Sequence, residues 1–314
     1  DNAVAAFEFL AGHRPNDSQY RWFVSYVNRA PPSTDSVFLC VDPAFHPSRK
    51  TVVFYSTCHL VPIMHYLHVH ARYLRIHDVN WVCVLATNWA HPFRKTHTLP
   101  LYFWLLENAC RRADYIVYSP MFRGTDADPM RLRADTATPH QRWIGFHAPS
   151  FGALWPLCHK WGDEQVAERL SRGESAEAIK TEIRNGSIFC DLKRRWQHDF
   201  ERLLWKDDEV VAKIVPFFER NWKTHRLFLS LNHPSYHLAS CLAMQIEKAL
   251  VGHAPALLPW EEHFCLYGVP LNPCGMLPVL PDHPAVVREL GISYPQDFPD
   301  VDRYYEGVVD QIGT

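Results

Sequence analysis

The chain has 314 residues, with 32 Lys plus Arg against 34 Asp plus Glu. That balance excludes bulk attraction to nucleic acid or to an anionic membrane surface, while leaving room for a local basic pocket. A hydrophobic content of 47% with 24 Pro supplies a sizeable core joined by many rigid connections, and the 11 Trp and 18 Phe are enough for some to line a cleft.

Residues 1–50 are mixed, with Ala30-Pro31-Pro32-Ser33 marking a turn or extended piece. Thr51–Tyr55 is a short apolar strand that turns on Ser56-Thr57-Cys58-His59 into a helix, where Val61, Met64, Leu67, Ala71 and Leu74 keep helical spacing. Asp78–Ala86 reads as a second strand and Leu99–Arg112 as a second helix, with Leu101, Trp104, Leu105 and Ala109 on one face. Asp114–Tyr118 and Arg142–Phe146 come next as strands. Such alternation implies βαβ crossovers and a parallel sheet, which binds ligands at the carboxyl ends of its strands. Those ends are Ser56–His59, Asn88-Trp89, Ser119-Pro120 and His147. No GxGxxG follows the first strand, which argues against a dinucleotide site.

From Gly162 the pattern turns helical: Asp163–Ser171 with a capping Asp, Ser175–Asn185 stopped at Asn185-Gly186, Asp191–Trp205, and Asp208–Phe218 interrupted by Pro216. A second strand–turn–helix then appears, with the strand at Arg226–Leu231, the turn at Asn232-His233-Pro234-Ser235 and a helix from Tyr236 to Leu250. The Pro-rich stretch 251–314 predicts a tail wrapped over the body. The expectation is an α/β protein forming one compact domain over 1–314, with its α/β part at 51–150 and a helical half at 162–250.

Nine cysteines, an odd number with no CxxC, fall partly inside apolar runs such as Trp81-Val82-Cys83-Val84-Leu85. That pattern predicts reduced, mostly buried thiols and a cytosolic protein. No apolar run reaches the ~18–20 residues that cross a bilayer, and the start, DNAVAAFEFLAG, has no basic segment of a signal peptide. His65, His68 and His70 share a helix, but no HExxH or HxxEH occurs and no metal is expected.

The chemistry gathers at the two strand–turn–helix elements. A helix N-terminus offers unpaired N–H groups to an anion or a developing oxyanion, and Cys58 and His59 lie at the first of them. His233 holds the same position in the second, so either histidine is a candidate general base. Arg94-Lys95, Arg123, and Lys223 with His225 sit at loops or element ends where a phosphate-bearing ligand can be met by charge-assisted contacts. Asp126-Ala127-Asp128 has the spacing of a sugar-nucleotide motif but lies among turn residues.

The pairing of Tyr55-Ser56-Thr57-Cys58-His59 with the later Leu227-Phe228-Leu229-Ser230-Leu231-Asn232-His233-Pro234-Ser235 resembles the WcbI-type polysaccharide-biosynthesis proteins over residues 51 to 250. Many relatives carry Gly-Asn-Cys-Gln at the first turn, and Ser-Thr-Cys-His here keeps only the Cys. The length also fits the capsule protein that names the family, so identity with it or close kinship is a further expectation. The resemblance implies a small parallel Rossmann-like sheet subdomain embedded in a larger, mostly helical and loop-rich single domain. It also implies a bacterial cytoplasmic enzyme, held at the inner membrane only through partners, that takes acetyl-CoA as substrate and O-acetylates a capsular sugar alongside other capsule proteins.

Under that reading the catalytic candidates are His233, His59 and Cys58. The coenzyme A contacts are Ser56, Thr57, Cys58, His59, Asn88, Arg94, Lys95, Ser119, Arg123, Lys223 and His225. Rival readings are an acyl-ester hydrolase using the same oxyanion site and a non-catalytic subunit that binds coenzyme A or glycan.

Overall fold

The computed structural model describes residues 2–17, 19, 37–57, 59–69, 79–86, 99–121, 123–124, 128–157, 164–252, 279–295 and 300–313. Its contacts divide the chain into two compact units. The first comprises Asp1–Ala148, Asp207–Lys213 and Ala239–Tyr267; the second comprises Pro149–Lys206, Ile214–Leu238 and Gly268–Thr314.

The first unit is built on a five-stranded sheet of β1 (Val37–Val41), β2 (Lys50–Ser56), β3 (Val79–Ala86), β4 (Tyr115–Tyr118) and β5 (Arg142–Gly145), in the order β1-β3-β2-β4-β5. Strand β1 is antiparallel to β3, and every other pairing is parallel. All of β2 after Lys50 is buried, as its continuous apolar run requires when both faces of a parallel sheet are covered. The chain winds outward from β2 to β3, then crosses back to β4 and on to β5. The direction of winding therefore reverses between β2 and β4, where crossovers of one hand place their helices on opposite faces.

Helices α1 (Asn2–Ala11), α2 (Leu60–Val69), α3 (Leu99–Arg112) and α4 (Pro129–Thr136) accompany this sheet. The predicted face of α3 is rotated. Trp104 is 41% exposed, while Leu105, Leu106, Ala109, Cys110 and Ala113 form the inward stripe and pack with Val53, Tyr55, Val82, Val84 and Ile116. Those positions follow helical spacing, and Trp104 falls on the margin of the stripe. At the opposite ends of the strands, buried Asn80 accepts from the His46 N–H and donates to the carbonyls of His46 and Arg49 and to the Thr51 hydroxyl. Asp114 similarly ties the Thr51 N–H at 2.8 Å. The buried polar groups there are thus satisfied within the fold.

The second unit contains α5 (Gln165–Ser171), α6 (Ala176–Asn185), most of α7 (Leu192–Asp208), α8 (Val215–Asn221), the hairpin β6 (Phe228–Ser230) and β7 (His233–Pro234), the start of α9 (Tyr236–Val251), α10 (Pro284–Leu290) and α11 (Val301–Gly313). Ser175 caps α6 by accepting from the Ala178 N–H, and Gly186 ends it in the left-handed region, as the sequence predicts. Pro216 does not interrupt a helix from 208 to 218. It lies in the first turn of α8, where its missing N–H has no intrahelical acceptor to lose. Phe151, Trp196, Phe200, Phe218, Trp222 and Phe228 form an aromatic cluster with ring centroids 4.9 to 6.3 Å apart. Asp282 is buried, paired with Arg226 at 2.8 Å and accepting from Tyr294 at 3.0 Å. Cys83, Cys110, Cys190 and Cys241 are free thiols, the first two and the last buried and Cys190 exposed. No described helix is long and apolar enough to cross a membrane.

Gly186 has φ +78°, and a Cβ there lies 2.7 Å from the Cβ of Ala285. Gly173 has φ +86° and nothing within 4 Å of its Cβ position. Gly173→Ala is therefore expected to cost about 1 kcal/mol from backbone strain alone, and Gly186→Ala about 1–3 kcal/mol more from the added clash. Urea denaturation of the two variants checks the ranking.

Candidate functional site

The sheet brings four of the sequence-predicted residues to the carboxyl ends of β2 and β4. Tyr55 and Tyr118 are register partners, so Ser56 and Ser119 leave the two strands side by side. Both serines are fully buried, and their hydroxyl oxygens are 2.5 Å apart. Thr57 and His59 come next at the turn, with Thr57 Oγ1 2.7 Å from His59 Nδ1 and the imidazole buried. The Leu60 N–H closes the turn on the Thr57 carbonyl at 3.0 Å. When His59 donates from Nδ1 to Thr57, its Nε2 is the basic nitrogen, the form a general base requires. Cys58, bracketed by this pair, lies outside the described residues, as do Asn88, Arg94 and Lys95.

Arg123 forms an ion pair with Glu209, so part of its charge is already matched within the first unit. His147, which the sequence places at the end of β5, is fully buried and meets Asp207 through Nδ1 at 2.6 Å. Its N–H donates to the Ala212 carbonyl, and the N–H groups of Val211 and Ala212 both donate to the Gly145 carbonyl. The segment holding Asp207 is thereby laid along the end of β5. No sequence signal links residues 60 apart, and Asp207 and Glu209 are legible in the sequence only as helix-end acids.

His233, Lys223 and His225 belong to the second unit. His233 sits in the β6–β7 hairpin, with Nδ1 2.6 Å from the Ser230 hydroxyl, and Ser230 is buried. The turn after it opens α9, a helix of 16 residues. Asn232 Oδ1 and Ser235 Oγ there are buried with no hydrogen-bond partner, and the whole Ser235 side chain is inaccessible. Polar atoms left this way cost about 1–3 kcal/mol each, and they mark a place where a ligand can supply the missing bonds. The sequence points to this turn, Asn232-His233-Pro234-Ser235, but singles out only His233 for chemistry and gives no sign that the Asn232 and Ser235 oxygens are left unpartnered. Lys223 is exposed, with its ammonium 5.2 Å from the Trp222 ring centre. His225 stacks edge-on against His237, ring centres 5.1 Å apart.

No protein-family model and no curated protein sequence matches this chain. A solved structure of WcbI, described as a novel polysaccharide biosynthesis enzyme in a native form without a disulfide between coenzyme A and one of its cysteines, is similar in fold. It matches with a TM-score of 0.51 and 17% identity over 65% of this chain and 70% of that one. The chain is therefore a distant structural neighbour of WcbI and not that protein itself. The shared α/β architecture, a parallel sheet flanked by helices within a helix-rich chain, is the one the sequence predicts.

Removing one of the two buried hydroxyls, by Ser56→Ala or Ser119→Ala, strands the other and is expected to cost about 1–3 kcal/mol, while the double variant costs less than the sum. A double-mutant cycle by chemical denaturation reads the coupling. Burial, reinforced by His225, lowers the pKa of His237 to about 4 from 6.5. The unfolded chain thus takes up a proton below pH 6.5 that the folded chain refuses until about pH 4. Stability contributed by neutral His237 is complete above that window and falls through it, by at most about 3 kcal/mol. Thermal melts from pH 7 to 4 are expected to show this loss, and His237→Phe to flatten it.

Proposed function

We propose that this protein transfers an acetyl group from acetyl-CoA to a sugar hydroxyl in polysaccharide biosynthesis. The observation that carries the reading is the His233 turn: a histidine oriented by Ser230, beside two buried and unpartnered polar atoms at the start of a long helix. The Thr57–His59 pair around Cys58, at the edge where a parallel sheet takes its ligands, supports it from the first unit. So does the likeness in fold to a polysaccharide biosynthesis enzyme described with reference to coenzyme A.

In this mechanism His233 or His59 accepts the proton of the sugar hydroxyl as its oxygen attacks the thioester carbonyl. N–H groups at a helix start stabilise the tetrahedral oxyanion. The C–S bond then breaks, and the histidine returns its proton to the coenzyme A thiolate. Ser56, Thr57, Asn88, Arg94, Lys95, Ser119, Arg123, Lys223 and His225 are proposed as coenzyme A contacts, with the cationic members meeting its phosphates. The acceptor belongs to a bacterial capsule made from the cytoplasmic side, on the same reading.

Calorimetric titration with coenzyme A is expected to show binding that Arg94→Ala and Lys223→Ala weaken. With acetyl-CoA and a purified sugar acceptor, loss of the base through His233→Ala or His59→Ala should lower turnover roughly 10²–10⁴-fold. Cys58→Ala separates two routes: direct transfer survives it, whereas a covalent acetyl-cysteine route is lost. No heat of binding and no turnover would sink the proposal.

A further inference from the structure

The second unit contains a hydroxyl–amine pair separate from the proposed acetyl-transfer residues. Lys206 Nζ lies 3.1 Å from Ser150 Oγ. A side chain on a long flexible stem rarely holds such a contact unless the backbone positions are fixed, and here one carboxylate fixes both. Asp199, two turns before Lys206 on α7 and therefore on the same face, is buried. Its Oδ2 accepts the N–H of Gly152 at 2.7 Å and of Ala153 at 2.8 Å. The Phe151 N–H donates to the Leu231 carbonyl at 2.6 Å. The loop bearing Ser150 is thus clamped directly to the helix bearing Lys206, while Ser150 itself stays partly open to solvent.

We propose that Ser150 and Lys206 form a nucleophile–base pair for acyl transfer, acting on esters or thioesters of small acyl groups. Neutral Lys206 takes the hydroxyl proton as Ser150 Oγ bonds to the acyl carbon. Collapse of the tetrahedral adduct breaks the C–O bond of an ester or the C–S bond of a thioester. The Lys206 ammonium gives its proton to the departing alkoxide or thiolate, leaving an acyl-serine. Water or an alcohol then attacks that ester, Lys206 again accepting the proton and returning it to Ser150 Oγ. A lysine does this work only when it can be neutral. Burial and then Arg202 lower Lys206 to about 8, against the raising influence of Asp199. Arg202 and Asp199, both on α7, are among the charged groups acting on it.

The pair does not depend on coenzyme A, and the test omits it. The full-length protein is incubated with a fluorophosphonate, which phosphonylates an activated serine with loss of fluoride, and the adduct is mapped by mass spectrometry. The adduct is expected on Ser150, with a labelling rate that climbs through about pH 8 and a parallel hydrolysis of p-nitrophenyl acetate. Lys206→Met is expected to slow labelling roughly 10²-fold or more, and Ser150→Ala to abolish it. Lys206→Arg keeps the charge and the donor but cannot act as base, so it should be equally slow while retaining the native circular dichroism and melt. An unlabelled Ser150, a rate flat across pH 8, or a folded Lys206→Arg that labels at the wild-type rate overturns the proposal. If both lysine variants fail to fold, the wild-type pH profile decides it.

Discussion

Between β2 and β4 the chain reverses its direction of winding, and the two strands that meet there end in Ser56 and Ser119. Parallel pairing puts the carboxyl ends of β2, β3, β4 and β5 at one edge, and the point of reversal is where sheets of this kind take their ligands. The turn after β2 therefore lies at that edge, at the point of reversal. The buried Ser56–Ser119 contact ties the two strand ends, and Thr57 and His59 form the turn beyond them that leads into α2. The next strand over, β5, ends in His147, and a later segment of the chain is brought to it through Asp207.

Hydrogen-bond satisfaction separates the parts of this protein that only hold shape from those that are open to ligand. Asn80, Asp114, Asp199 and Asp282 are polar groups in or near the interior with protein partners, and each staples segments far apart in the chain. A buried carboxylate or amide is tolerated on those terms. The turn at Asn232–Ser235 departs from that rule, with two buried oxygens unanswered in a unit where the Asp199 carboxylate takes two backbone N–H groups. In the proposed function a ligand supplies the missing bonds at this helix start beside an oriented histidine, which is why the His233 turn bears more of the functional reading than any charged loop.

The alternation of strand and helix from 51 to 146 is plain in the sequence because apolar strand runs and stripes of period 3.6 arise directly from how side chains leave each backbone. Helix α3 matches its predicted limits, and the cap and stop of α6 at Ser175 and Gly186 are readable because capping is local chemistry. Errors arise where the outcome hangs on a neighbour. Trp104 has helical spacing with Leu101 and Leu105 but faces outward, since which flank of a stripe is covered depends on what packs against it. Pro216 has the look of a break within a helix and instead begins one, because Val211 and Ala212 ahead of it pair with the end of β5. The antiparallel edge strand Val37–Val41 is an apolar run, Val-Phe-Leu-Cys-Val, whose strand signal is present in the sequence but is passed over when residues 1–50 are read together as mixed.

The sequence by itself determined the α/β class, the residues at the strand ends and the two turns that carry Cys58-His59 and His233, because each depends on the pattern of a few adjacent side chains. Only the tertiary structure decided how those groups are partnered: Ser56 with Ser119, Thr57 with His59, His233 with Ser230, His147 with Asp207, and Ser150 with Lys206. Three of these five pairs join residues 56 or more positions apart. Contacts of that range form when a strand, a helix and a loop are closed onto one another, and local pattern carries no record of which distant segment arrives.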